Sequence, residues 1–242
     1  MKRREFLMSS ILLGLGCALM PERMIAAQSF SKDELIGKGK PELYGKDIML
    51  RKEAYDAFLR MKASAKESGI NIKIVSSYRD FYKQKSIYES KYKRFTNQGL
   101  SPEESIRKII EYSTIPGTSR HHWGTDIDII DDNGNYSGDV LIAEKFHGKG
   151  PFCKLKEWMD KHASSFGFYL VYTNEYYRKG FKYEPWHYSY APISKLMLKA
   201  YENIDIKDVL IREQLLGKEY LSDAFINEYY TNHILDINPL LL

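Results

Sequence analysis

The chain has 242 residues, enough for one domain with a buried core, and its composition of 43% hydrophobic and 28% charged residues excludes both a disordered segment and a bundle of membrane spans. The formal net charge of +4 is small, and no Lys/Arg stripe interleaves with aromatic residues, so nucleic acid is not an expected partner. The 19 tyrosines read chiefly as packing residues with a polar tip.

The first segment has the three parts of an export leader. Lys2, Arg3 and Arg4 precede Phe6-Leu7, an apolar run covers Ile11 to Met20, and the small residues Ala26 and Ala27 follow. The run is shorter than the ~20 residues that span a bilayer. The paired arginines before Phe-Leu are similar to a twin-arginine signal, which implies an exported protein of the periplasm or cell envelope, cleaved after Ala27, with no stable membrane insertion afterwards. An ordinary secretory leader or an uncleaved anchor are the alternatives, and a lipoprotein reading through Cys17 fits only in part. Without this segment one cysteine remains, Cys153, so no internal disulfide is available, and it is expected as a buried packing residue.

Residues 28–192 are expected to form one domain and residues 193–242 a helical extension packed on it. Residues 28–48 are polar and are expected to wrap the surface. Leu50, Ala54, Phe58, Met61 and Ala65 recur at helical spacing up to Gly69. Ile72 to Val75 alternates as a short strand, and a helix is expected from Asp80 to Phe95. Ser101-Pro102-Glu103-Glu104 has an N-cap, a first-turn proline and acids at the positive helix end. Thr114 to Gly124 reads as a loop, Thr125 to Ile130 as a strand, Phe152 to Ser165 as an amphipathic helix, and Phe168 to Val171 and Trp186 to Tyr190 as strands. The order predicts an α+β fold, a small and mostly antiparallel sheet with helices packed around it.

Three of the six histidines stand in two unusual segments, Ser119-Arg120-His121-His122-Trp123-Gly124-Thr125-Asp126-Ile127-Asp128 and Glu184-Pro185-Trp186-His187. A catalytic zinc takes three ligands from His, Asp or Glu and keeps one position open. On a strand Asp126 and Asp128 share a face, and Gly124 lets a loop histidine reach the same point. His187 can complete the set, with Glu184 placed to face a water without ligating.

Those two motifs, in this order and about sixty residues apart, resemble the signature of peptidase family M15, the VanY-type D-alanyl-D-alanine carboxypeptidases and their L,D-carboxypeptidase relatives. The resemblance covers roughly residues 45–192. It implies one zinc per chain held by His121, Asp128 and His187, with Glu184 as general base. Ser119 matches the serine that contacts the terminal carboxylate of the substrate. Ser76-Ser77-Tyr78-Arg79-Asp80 with Gln84 matches a block in which Arg79 binds that carboxylate or the oxyanion and Gln84 orients the peptide. The implied partner is a peptidoglycan stem peptide and the implied state a monomer. Other reactions of the family, an L,D-carboxypeptidase, a D-Ala-D-Ala dipeptidase or an endopeptidase, and a non-catalytic envelope-binding module stay open. Asp126 departs from the alanine common in the family. It is expected either as a further oxygen at the metal or partner of a ligand histidine, or as a solvated or capping carboxylate. His122 is expected in the groove or behind a ligand, Trp123 and Trp186 as walls of the site, and His147, His162 and His233 on the surface.

Overall fold

The computed structural model of the protein describes residues 29–242, and the leader expected over residues 1–27 lies outside the described residues. Segment 28–48 does more than wrap the surface. Ser31 and Glu34 cap each other's ends of a one-turn helix α1 (Lys32–Leu35), and Leu35 and Ile36 are buried in the core behind it. Helix α2 (Lys52–Glu67) buries the expected stripe Ala54, Phe58, Met61 and Ala65. Strand β1 (Ile72–Ser76) leads into α3 (Phe81–Asn97), whose first turn is capped by the Asp80 carboxylate accepting from Lys83 N–H. Helix α4 (Pro102–Ile109) starts with the expected proline and a reciprocal Ser101–Glu104 capping box.

The remaining strands are β2 (Asp126–Asp131), β3 (Phe168–Leu170) and β4 (His187–Tyr190), with helix α5 (Cys153–His162) between β2 and β3. They form a four-stranded, fully antiparallel sheet in the order β1-β2-β4-β3, within the α+β arrangement. Every residue of β2 is buried. Ile127 and Ile129 join a core with α2 and α5, while Asp126 and Asp128 lie on the opposite side of the strand. Polar side chains are thus held in the middle of a sheet that is covered on both faces.

After α6 (Ala191–Tyr201) the chain breaks into short pieces, α7 (Ile206–Arg212) and α8 (Asp223–Tyr229), then a π-turn at Tyr230–Ile234 and a 3-10 turn at Pro239–Leu241. These pieces share a second core with α3 and α4, in which Leu210, Tyr229 and Leu241 are fully buried. Tyr229 Oη accepts from Ile115 N–H at 3.1 Å and bonds Thr118 Oγ1 at 2.8 Å. Asp236 Oδ2 accepts from the backbone N–H groups of Lys179 and Gly180, and Asn238 N–H donates to Val171 O. The stretch therefore grips two loops, 113–119 and 171–181.

Candidate active site

The β2/β4 register sets Asp128 directly opposite His187 and Asp126 opposite Ser189. Opposed residues in an antiparallel pair have Cβ atoms about 5 Å apart, so two side chains from distant parts of the sequence meet without any loop having to place them. His121 comes from a 3-10 turn, Arg120–Trp123, whose N-cap Ser119 accepts from the His121 N–H. Gly124 then turns the chain into β2 at φ 67°, where a Cβ would also lie 2.8 Å from Leu43. Glu184 and His187 close a turn, His187 N–H donating to Glu184 O at 3.1 Å.

Ligand atoms of His121, Asp128 and His187 lie within 4.8 Å of one another, and all three residues are buried. Outer contacts fix each imidazole. His121 Nδ1 lies 2.7 Å from the Ser77 carbonyl, which only accepts, so Nδ1 carries the proton and Nε2 faces Asp128 Oδ2 at 3.3 Å. His187 Nε2 lies 2.9 Å from Asp126 Oδ2, which leaves Nδ1 toward Asp128 and 3.0 Å from Glu184 Oε2. Asp128 Oδ1 is buried with no hydrogen-bond partner among the described residues. Two oriented imidazole nitrogens, a carboxylate oxygen without a donor, and a second carboxylate beside them form a donor set that fits zinc.

Asp126 is the hub behind this set. It accepts from His187, from Arg120 Nε at 3.1 Å, from Ser189 Oγ at 2.6 Å and from Thr125 Oγ1 at 2.8 Å. Of the two roles expected for it, a solvated carboxylate does not fit its complete burial, and its contact with the His187 imidazole fits a histidine partner. Burial alone would raise its carboxyl, but Arg120 and His187 hold it well below the usual range. Burial likewise opposes the charge of Asp128, and His121 overcomes it, giving a value of about 2. Glu184 has the opposite balance: burial raises it, against His187. In the metal-free chain burial would lower His187, yet Asp126, Glu184 and Asp128 lift it to about 10.

The site opens into a cavity of about 520 Å³, lined by Arg79, Ser119, Tyr172, Trp186 and the four groups around the metal position, among others. Arg79 is pinned through its backbone, its N–H donating to His121 O and its carbonyl accepting from His122 Nδ1. Several expected residues are elsewhere. Gln84 is fully buried outside the cavity lining and donates to the Thr114 carbonyl, so it props a cavity wall instead of orienting a peptide. His122 is not in the groove: it is wedged between Arg79 O and Gly117 N–H, and burial holds it at about 3. Trp123 packs on Tyr201 in the core, whereas Trp186 does line the cavity. Cys153 is half-buried, not buried, beside Glu157. His147 and His162 are exposed, but His233 is half-buried between Phe181 and Tyr229. Sequence reasoning missed Arg120, although its charge six residues before Asp126 was a usable signal, and it missed Tyr172 and Lys91, which carry no motif.

The VanY family profile, described as D-alanyl-D-alanine carboxypeptidase, matches residues 47–193. A protein of Haemophilus influenzae is 32% identical over 109 residues, 44% of this chain and 83% of its own length. A D-alanyl-D-alanine carboxypeptidase of Enterococcus faecalis is 24% identical over 152 residues, 62% of this chain; the chain spans 52% of that relative. The solved structure of VanYB in complex with D-alanine-D-alanine has a TM-score of 0.53 at 21% identity, covering 73% of this chain and 92% of that one, a likeness of fold.

Proposed function

The chain belongs to the VanY family of D-alanyl-D-alanine carboxypeptidases, and on that premise we propose that it is a zinc-dependent carboxypeptidase removing the terminal D-alanine from peptidoglycan stem peptides. The observation that carries this reading is the pair of imidazoles whose outer hydrogen bonds leave both free nitrogens facing Asp128, with a buried carboxylate, Glu184, beside them. His121, Asp128 and His187 would hold one zinc per chain. Bound there, zinc supplies the Lewis acid that polarises a scissile carbonyl and makes water a nucleophile at neutral pH.

The chain's own groups do the rest. Glu184 takes the proton of the attacking water and returns it to the leaving amine. Its burial keeps the carboxyl basic enough for both steps. Arg79 and Ser119 hold the free carboxylate of the substrate, which favours cleavage at a C-terminus. Asp126 keeps His187 in the required tautomer. The substrate of such an enzyme lies outside the cytoplasm, and the basic, apolar and small-residue leader over residues 1–27 supports export along the twin-arginine route. No helix among the described residues is long and apolar enough to cross a membrane.

The test is digestion of purified muropeptides with the zinc-loaded protein, with products identified by mass. Loss of D-alanine from pentapeptides, and about 10²- to 10⁴-fold less of it with Glu184→Gln at unchanged zinc content, is the expected result. Loss from tetrapeptides alone would make the chain an L,D-carboxypeptidase. Bound zinc without any product would make it a binding module.

A further inference from the structure

One face of α3 looks into the cavity with charges that the chemistry above leaves unused. Ile87, Lys91 and Arg94, on successive turns of that helix, line the same space as Arg79, Glu184 and His187. Lys91 is half-buried and makes no hydrogen bond or ion pair among the described residues; neither does the guanidinium of Arg94, which lies over the Phe95 ring. Asp139 and Glu144 stand elsewhere on the cavity wall, and neither comes within ion-pair distance of Lys91. Burial pulls the Lys91 ammonium down from its ordinary value, with repulsion from Arg79 and Arg94 and against the attraction of Glu184 and, more weakly, Asp139. A cation withdrawn from water without a partner is a standing cost to the fold, and an anionic ligand removes that cost.

Of the other cavity charges, Asp139 and Glu144 are carboxylates out of ion-pair reach of Lys91, and those near the metal position have partners. Asp128 and Glu184 belong to the metal position, and Arg120 is neutralised by Asp126. Arg79, held beside His121, suits the single carboxylate at a peptide's C-terminus. Lys91 and Arg94 remain, in a space of about 520 Å³ that takes more than the last residue of a substrate.

We propose that Lys91, with Arg94 one turn further along α3, forms a second anion subsite that takes a carboxylate of the stem peptide other than its C-terminal one. The chain then selects peptides that carry a free acidic side chain over the same peptides amidated there. This rests on reading the cavity as a stem-peptide site, and the test separates the two. Two synthetic pentapeptides ending in D-alanyl-D-alanine, identical except that the acidic residue is free or a carboxamide, are compared on the full zinc-loaded chain. The free acid is preferred about tenfold in kcat/KM, mostly through KM, as expected for one charge-assisted contact. In Lys91→Met the ratio falls to about one, and in Arg94→Met it falls part of the way. The same pair is then titrated against the Glu184→Gln chain, which binds without turnover. A wild-type chain that cleaves neither peptide, yet whose Glu184→Gln form binds the free acid about tenfold tighter, loses the carboxypeptidase reading and keeps the subsite. Equal binding of the two peptides, or a Lys91→Met variant that weakens both alike, overturns the subsite.

Discussion

Replacing Asp126 with asparagine probes two jobs of one carboxylate. The side chain accepts four hydrogen bonds in a place without solvent, and one donor is a guanidinium that is only 5% exposed. At 3.1 Å and an effective dielectric of about 20, the Arg120 pair has a gross attraction of about 5 kcal/mol. The Asp126→Asn change would leave the Arg120 charge buried and unmatched, so the metal-free protein should lose about 3–5 kcal/mol by urea unfolding. The same change replaces the charged acceptor that orients His187 with a neutral amide oxygen, and zinc affinity, read by chelator competition, should fall about 10- to 100-fold. Adding Arg120→Met separates the two jobs. The double variant should regain most of the lost stability, because no bare charge is left, and none of the lost zinc affinity, because His187 still lacks a charged acceptor. A single variant within about 1 kcal/mol of the parent, or a double variant no more stable than the single one, would refute the hub role of Asp126.

Tyr229→Phe removes the hydroxyl that holds Ile115 N–H and Thr118 while keeping the buried ring; a loss of about 1–3 kcal/mol in thermal or urea unfolding is expected, with KM rising more than kcat falls because loop 113–119 carries Ser119. His233, held by burial at about 4, gives a pH signature. Its folded value is depressed below the unfolded value of about 6.5, so the unfolded chain binds more protons between those limits. Its contribution is complete above pH ~6.5 and is lost as pH falls toward ~4, with a slope below about 1.4 kcal/mol per unit because the ring is partly exposed. His233→Leu should flatten unfolding free energy against pH in that window relative to the parent; an unchanged slope would remove His233 from the acid response.

The site residues were legible because their chemistry is local. A histidine, a glycine turn and an alternating strand lie within a dozen residues, and Glu184 and His187 share one turn. What joins the two segments is the register Asp128 to His187, a pairing between strands that no local pattern encodes. Asp126 stayed undecided for a related reason: its partners Ser189 and His187 arrive on β4. Gln84 and His122 were misplaced because a polar residue beside a motif reads as a ligand contact, whereas here each satisfies a backbone group of a neighbouring loop. In residues 205–242 short turns with intermittent apolar residues carry no periodicity, so the sequence offers only a helical extension and not its division into α7, α8 and a π-turn.

The grip of that last stretch on the cavity walls also has a kinetic side. Tyr229 reaches Ile115 and Thr118 across 114 and 111 residues of chain, and Tyr88 reaches Leu216 across 128. Contacts of such separation close slowly, because the entropy of a long loop is surrendered before any of them repays it. The walls of the cavity therefore depend on the docking of residues 205–242, a part of the chain distant in sequence from the strands that carry Asp128 and His187.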